Sequence, residues 1–266
     1  MVFTVLFLSV GAFAQMKVGR IVYERTFQLP VRFTSNMDPN LQSQLPRTRT
    51  DQYELLFGNN QSLWQFLPDA TNEGDANTIS AGSGGERMVF RFAGTNDVTF
   101  HNFEKSIKVD RRELADKAFV VTDSIRKLYW KLTDETKMIL TYTARKAITQ
   151  RIGTRMQMSM ENGEMKRQQV PDTTSIVAWF TTDIPVSGGP ASYQGQLPGA
   201  ILELDENNGQ TLYKAIEVSP KVSLNKIKEP KDGKKMTAAE FNKERDKIME
   251  EMRKNMPGNI QMRTTN

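Results

Sequence analysis

The chain has 266 residues, 38% of them hydrophobic, with 36 basic and 31 acidic side chains for a net charge of +5. That supply of apolar residues is enough to bury a core and argues against disorder along the whole length. There is no Cys and only one His, which excludes disulfides, thiolate nucleophiles and zinc–thiolate sites and leaves little basis for a triad or a His-rich metal site.

Val2 to Val10 is an apolar run, and Ala12-Phe13-Ala14 follows as an A-x-A cleavage pattern. Residues 1–14 therefore read as a secretory signal peptide, although no Lys or Arg precedes the run. The run is too short for a spanning helix, and no later stretch is long and apolar enough for one. An exported, Cys-free chain suits a bacterial envelope, that is, the periplasm or the cell exterior.

Residues 15–220 predict an antiparallel β domain. Short β-branched or aromatic runs recur at Val18–Phe27, Gln52–Phe57, Ser62–Leu67, Met88–Phe92, Val98–Phe103 and Ala118–Val121. Further runs at Ile125–Leu132 and Lys137–Thr143 flank Thr133-Asp134-Glu135-Thr136, read as a hairpin turn. No long amphipathic helix separates these runs, so the pattern points to a single curved sheet, a half-barrel or a sandwich. Asn36–Thr50 and Asp69–Gly85 are poor in apolar residues and read as surface loops.

Asn162-Gly163 is a two-residue hairpin signal that pairs Met160 with Met165. Period two then puts Met156, Met158, Met160 and Met165 on one face, with Arg155, Gln157, Ser159, Lys166 and Gln168 on the other. Thioethers can hold Cu(I) or Ag(I), but neither Cys nor a nearby His supports a soft-metal site; gap-filling packing is the favoured reading. Ser175–Thr181 is apolar on both faces and reads as a central strand covered above and below. Ala200–Leu204 and Thr211–Val218 flank Asp205–Gln210, a second hairpin with Asn-Gly at its tip.

Residues 221–266 hold 12 basic against 7 acidic side chains, so the chain's net charge resides in this tail. Thr237-Ala238-Ala239-Glu240 is a capping box. Phe241, Ile248, Met249, Met252 and Met256 follow on one helical stripe, ending at Pro257-Gly258. The prediction is a lysine-rich linker and then a helix over about 238–256.

The most distinctive block is Trp179-Phe180-Thr181-Thr182-Asp183-Ile184-Pro185, then Gly189-Pro190, then Gly195-Gln196-Leu197-Pro198-Gly199-Ala200-Ile201. This order resembles the GLPGLI family of exported Bacteroidetes proteins. Gly19-x-Ile21-x-Tyr23, Trp130, Lys146-Ala147 and the late lysine-rich tail extend the resemblance over most of the chain after residue 14. Gln196 stands where the motif has its first Gly, Ala200 where it has its second Leu, and Ala144 where the family often has Cys. The resemblance implies a compartment and a lineage but no reaction. Physically the block reads as a structural turn: Pro185 favours extended geometry before it, and Leu197-Pro198-Gly199 suits a type II turn with positive φ at Gly199.

No residue set demands catalysis. His101 has no partner visible in sequence. Asp172, Asp183, Glu203 and Asp205 lie near the block, but nothing fixes the separation a carboxylate hydrolase needs, and Asp183 reads as an acceptor of turn N–H groups. Asp205–Gly209 lacks the spaced ligands of a calcium loop. The expectation is a non-catalytic envelope protein without a cofactor, binding an apolar ligand such as lipid, or a partner protein. Trp179, Phe180 and the Met hairpin form its candidate wall. The alternative is an assembly factor acting through sheet edges and the basic tail, which could also touch an anionic membrane surface. Nucleic acid is disfavoured by export and by the lack of interleaved aromatics in the tail.

Overall fold

The computed structural model describes residues 16–29, 47–68, 78–81, 88–91, 96–161 and 164–255. The predicted signal peptide, Asn162-Gly163, Met256 and Pro257-Gly258 lie outside the described residues. Strands run in chain order as β1 (Gly19–Gln28), β2 (Thr48–Gly58), β3 (Gln61–Leu67), β4 (Thr78–Ala81), β5 (Met88–Arg91), β6 (Val98–Asn102) and β7 (Ile107–Leu114). They continue as β8 (Lys117–Ser124), β9 (Lys131–Ile139), β10 (Tyr142–Glu161), β11 (Glu164–Thr181), β12 (Ala200–Glu206), β13 (Thr211–Ser219) and β14 (Lys234–Thr237). One helix, α1 (Ala238–Asn255), closes the described chain. The predicted mainly-β architecture is correct: twelve strands form one curved, unclosed sheet, ordered β14-β8-β7-β6-β3-β2-β1-β13-β12-β11-β10-β9.

β1 sits in the middle of that order and pairs antiparallel with both β2 and β13. From it, one meander runs outward through β2, β3, β6, β7 and β8. The other runs back inward from β9 to β13. Tight turns make this possible. Asn59 and Asn60 take φ of 52° and 56° between β2 and β3, and Asn207 and Asn208 take 52° and 53° between β12 and β13. Asn tolerates that left-handed geometry, as the predicted Asn-Gly tip requires.

Alternation along each strand divides the sheet into two faces. The inner face carries the principal core, including Ile21, Tyr23, Leu55, Phe57, Ile176, Ala178, Phe180 and Leu204. Leu56, Leu63, Phe100, Val109 and Val120 face the other way and are covered by Ile227. A third cluster joins Phe119 and Val121 to Phe241 and Ile248 of α1. From Ser175 to Phe180 only alternate positions are fully buried: Ile176, Ala178 and Phe180 are inside, whereas Val177 and Trp179 are half-buried; Thr181, at the strand's end, is buried too. The strand is therefore not covered equally on both sides as predicted.

Several expectations need correction. Thr133–Thr136 is not a hairpin turn but lies within β9; the chain reverses at Leu140-Thr141, with Leu140 at φ 53°. Arg145 pairs with Thr136 and Ala147 with Leu132, so the polar residues between them form a bulge on an edge strand. Arg126 to Trp130 is not a strand. Its polar groups are met by a side chain instead, as Gln196 accepts from the Leu128 N–H (2.9 Å) and donates to the Arg126 carbonyl (2.9 Å). β4 falls inside the stretch read as a surface loop, and β7 was not foreseen because its charges mask an alternating pattern. The lysine-rich linker contains β14, which pairs in parallel with β8, so the tail joins the sheet.

Candidate functional site

The connection from β11 to β12 lies over the inner face. Ile184, Tyr193 and Leu197 are buried in the principal core, so the motif block fills the face rather than leaving it open. Its backbone is tied to itself by Ala200 N–H to Ile184 O (3.1 Å), Ile201 N–H to Gly188 O (2.9 Å) and Gly195 N–H to Ser187 O (2.6 Å). Pro185 is half-buried, Gly189 and Pro190 are buried, and Pro198 is exposed. The expected positive φ falls at Gly195 (76°), not at Gly199. Gly199 is required for a different reason: a Cβ there would sit 2.0 Å from the Thr181 carbonyl oxygen. The type II turn expected at Gly199 is thus replaced by a close backbone crossing.

The expected apolar wall is divided. Phe180 is buried in the principal core, 3% exposed. The half-buried Trp179 ring lies beneath two ammonium groups, Lys137 at 4.4 Å and Lys146 at 5.9 Å from its centroid. β10 and β11 outrun their neighbours. Beyond Arg151–Thr174 they pair only with each other among the described strands. Met156, Met158, Met160 and Met165 lie on this ribbon, and Met160 pairs with Met165 as the turn signal predicted. By strand register the Met positions lie far along the ribbon from Phe180.

The carboxylates near the motif do not converge. Glu203 holds Lys137 (2.6 Å), Asp205 accepts the Gly209 N–H (2.6 Å), and Asp172 faces Arg155 (3.6 Å). Asp183 is exposed; its N–H donates to Thr181 Oγ1 (3.3 Å), and its carboxylate accepts no hydrogen bond among the described residues. Its expected role as an acceptor in the turn is not realised, since the backbone groups there pair with one another.

A polar recess of about 330 Å³ lies beside the motif loop on the inner face. Strand register builds it. Tyr53 opposes Phe66, Trp64 opposes both Leu55 and Thr99, and Thr99 opposes Asp110, which sets one row of side chains across β2, β3, β6 and β7. Tyr53 and Trp64 stack at 5.0 Å with 5° between their planes. Tyr213 meets Trp64 edge-on at 6.1 Å. Arg25 lines the recess, is bonded to Asp51, and lies 4.8 Å from the Tyr53 ring centroid. From β7 come Lys108 and Arg112, both on Asp110 Oδ2, at 3.1 and 3.0 Å. Asp97, Ala191 and Ser192 complete the rim. Burial raises the pKa of Asp97 and pushes Tyr53 up to about 12.

None of these residues was singled out from sequence. One signal was present, because Lys108, Asp110 and Arg112 alternate and so share a strand face. Their juxtaposition with Arg25 and Asp51 depends on the pairing of distant strands. His101 lies close by and is 1% exposed. Its Nδ1 has no hydrogen-bond partner, its ring stacks on Phe103, and burial depresses its pKa to about 4.

A protein-family profile described as "Protein of unknown function (Porph_ging)" matches residues 130–203. That interval spans β9 to β12 and contains the whole motif block. No curated protein matches the chain. Among solved structures, one titled "Structure of PNGF-II in P21 space group" is similar at TM-score 0.51 and 17% identity, covering 87% of this chain and 34% of that one. A second, "Structure of PNGF-II in C2 space group", gives TM-score 0.52 and 17% identity, covering 87% and 33%. The chain thus spans about a third of the length of these structures, and the likeness is one of fold.

Proposed function

We propose that this chain is an exported, non-catalytic ligand-binding protein of the bacterial envelope, of the GLPGLI lineage that its 179–201 block resembles. The observation that carries the reading is the recess floored by Tyr53 and Trp64. Its walls come from paired strands and the tied-down motif loop, so its shape is held by the sheet ladder. A preformed concavity with a few convergent polar groups is the usual form of a small-molecule site.

Export is supported by the apolar run and the Ala12-Phe13-Ala14 pattern. The non-catalytic part is supported by the disposition of titratable groups. Asp51 and Asp110 are bound in ion pairs, and His101 has no carboxylate within hydrogen-bonding reach of its buried Nδ1. An apolar ligand would find much of the inner face already occupied by Ile184, Tyr193 and Leu197. The ligand therefore enters at the recess, in contact with polar walls, rather than along Phe180.

Tryptophan fluorescence of the processed protein tests this reading. A library of lipids, metabolites and short peptides should contain at least one compound that changes the emission saturably, and Trp64→Phe should abolish that change. If no class binds, by fluorescence or calorimetry, the proposal fails.

A further inference from the structure

The β10–β11 ribbon leaves the sheet with no third strand beside it. β9 pairs with β10 only as far as Lys131–Ile148, and β12 pairs with β11 only from Ile176 onward. From Arg151–Thr174 to Glu161–Glu164 the two strands pair only with each other among the described strands. A two-stranded ribbon is marginally stable in water, and an open strand edge is a template for a further strand.

The two free edges are not equivalent. Ser175 donates its N–H to Asn207 Oδ1 (3.1 Å), and its carbonyl accepts the Asn207 N–H (2.9 Å), so its backbone groups point to the β12 side. Period two turns Pro171 the same way, and proline has no N–H to offer. The outer edge of β11 is interrupted there. β10 contains no proline between Gln150 and Glu161. Its register with β11 turns the N–H and C=O groups of the even-numbered residues, Met156 among them, to the open side.

That edge is complementary to itself. Hydrogen-bonded and non-hydrogen-bonded pairs alternate along an antiparallel ladder, so a two-fold axis has to set one residue against its own copy. Centred on Met156, the ladder sets Arg151 against Glu161 of a second copy, Ile152 against Met160, Thr154 against Met158 and Arg155 against Gln157. Ile152, Met156, Met158 and Met160 then share one ribbon face, and Arg151, Arg155, Gln157 and Glu161 share the other. Ile152 is 82% exposed in the single chain. Arg151 is also exposed. It donates to the Tyr193 hydroxyl (3.3 Å), which donates to Glu206 (2.5 Å), and it has no direct carboxylate partner among the described residues. Centring on Arg155 instead would set two like charges face to face, and every centre beyond Met156 shortens the ladder.

We infer that the chain forms a two-fold dimer in which the outer edge of β10 pairs antiparallel with the same edge of a second copy, joining the two sheets into one. This goes beyond the ligand-binding reading and does not rest on it.

Multi-angle light scattering on the full chain at about 10–100 μM should give the dimer mass. The chain has no Cys, so a single introduced thiol reports the register. Opposed Cα atoms in a hydrogen-bonded antiparallel pair lie about 5.5 Å apart, within reach of a disulfide. Met156→Cys should therefore oxidise to a covalent dimer. Met160→Cys, about 26 Å from its own copy in this register, should not. Glu161→Lys should weaken dimerisation about tenfold or more, and combining it with Arg151→Glu should restore it. Circular dichroism checks that each variant keeps the sheet. A monomer at every concentration would overturn the inference. So would a Met160→Cys chain that cross-links as readily as Met156→Cys. A dimer that ignores Glu161→Lys and is not trapped by Met156→Cys would lie on another surface and overturn it too.

Discussion

His101 concentrates several levels of the structure in one imidazole. Period two on β6 puts it on the inner face with Thr99, and the pairing of β6 with β3 and β7 then seals it to 1% exposure. The position on the strand was legible in sequence. The depth was not, because it is created by neighbours from distant segments. Its folded pKa, about 4, lies below the ordinary value of 6.5, so the unfolded chain binds the proton more readily. Stability should accordingly be full above pH 6.5 and decline as pH falls towards 4, by an amount on the order of 3 kcal/mol. Urea unfolding across that range checks this: His101→Leu should lose that component of the slope, whatever its absolute stability. An unchanged slope would show that the imidazole is not the group responsible.

At the scale of elements, α1 shows how local signals and tertiary contacts share the outcome. The capping box forms as its residues predict, with Thr237 N–H and Oγ1 donating to Glu240 Oε2 at 2.7 and 2.9 Å. The apolar stripe is used only in part. Phe241 and Ile248 are buried against Phe119 and Val121, while Met249 is 53% and Met252 is 43% exposed. A helix meeting the end of a sheet can press only a narrow strip against it, so stripe membership alone does not decide burial. Phe241→Ala should therefore cost about 3 kcal/mol, and Met249→Ala no more than about 0.5 kcal/mol, in denaturant titrations. Equal effects would mean that the helix docks differently. The Gln196 contacts make a related point. The Gln196 side chain supplies bonds to Arg126 and Leu128 that a glycine could not.

Over the whole molecule, the sheet order makes the tail part of the body. β13 ends beside β1, mid-sheet, and the chain then crosses the outer face with Ile227 buried before reaching the far edge at β14. A chain ending at Ser219 would leave β8 as a bare edge, uncover Phe119 and Val121, and strip Ile227 from Leu56 and Leu63. Such a truncation should melt at lower temperature and bind an environment-sensitive apolar dye that the full chain does not. If the truncated chain melts at the same temperature without dye binding, the tail contributes nothing to the core.

Periodicity, Asn-Gly turns and a capping box were enough to specify a meander of antiparallel strands with one terminal helix, because each depends on residues only a few positions apart. The pairing of β1 with β13, the burial of His101 and the meeting of Arg25 with Arg112 at one recess were decided only in three dimensions. They require strands widely separated in the chain to settle into one register. Side chains carry no local record of which neighbour will lie 5 Å away across a sheet.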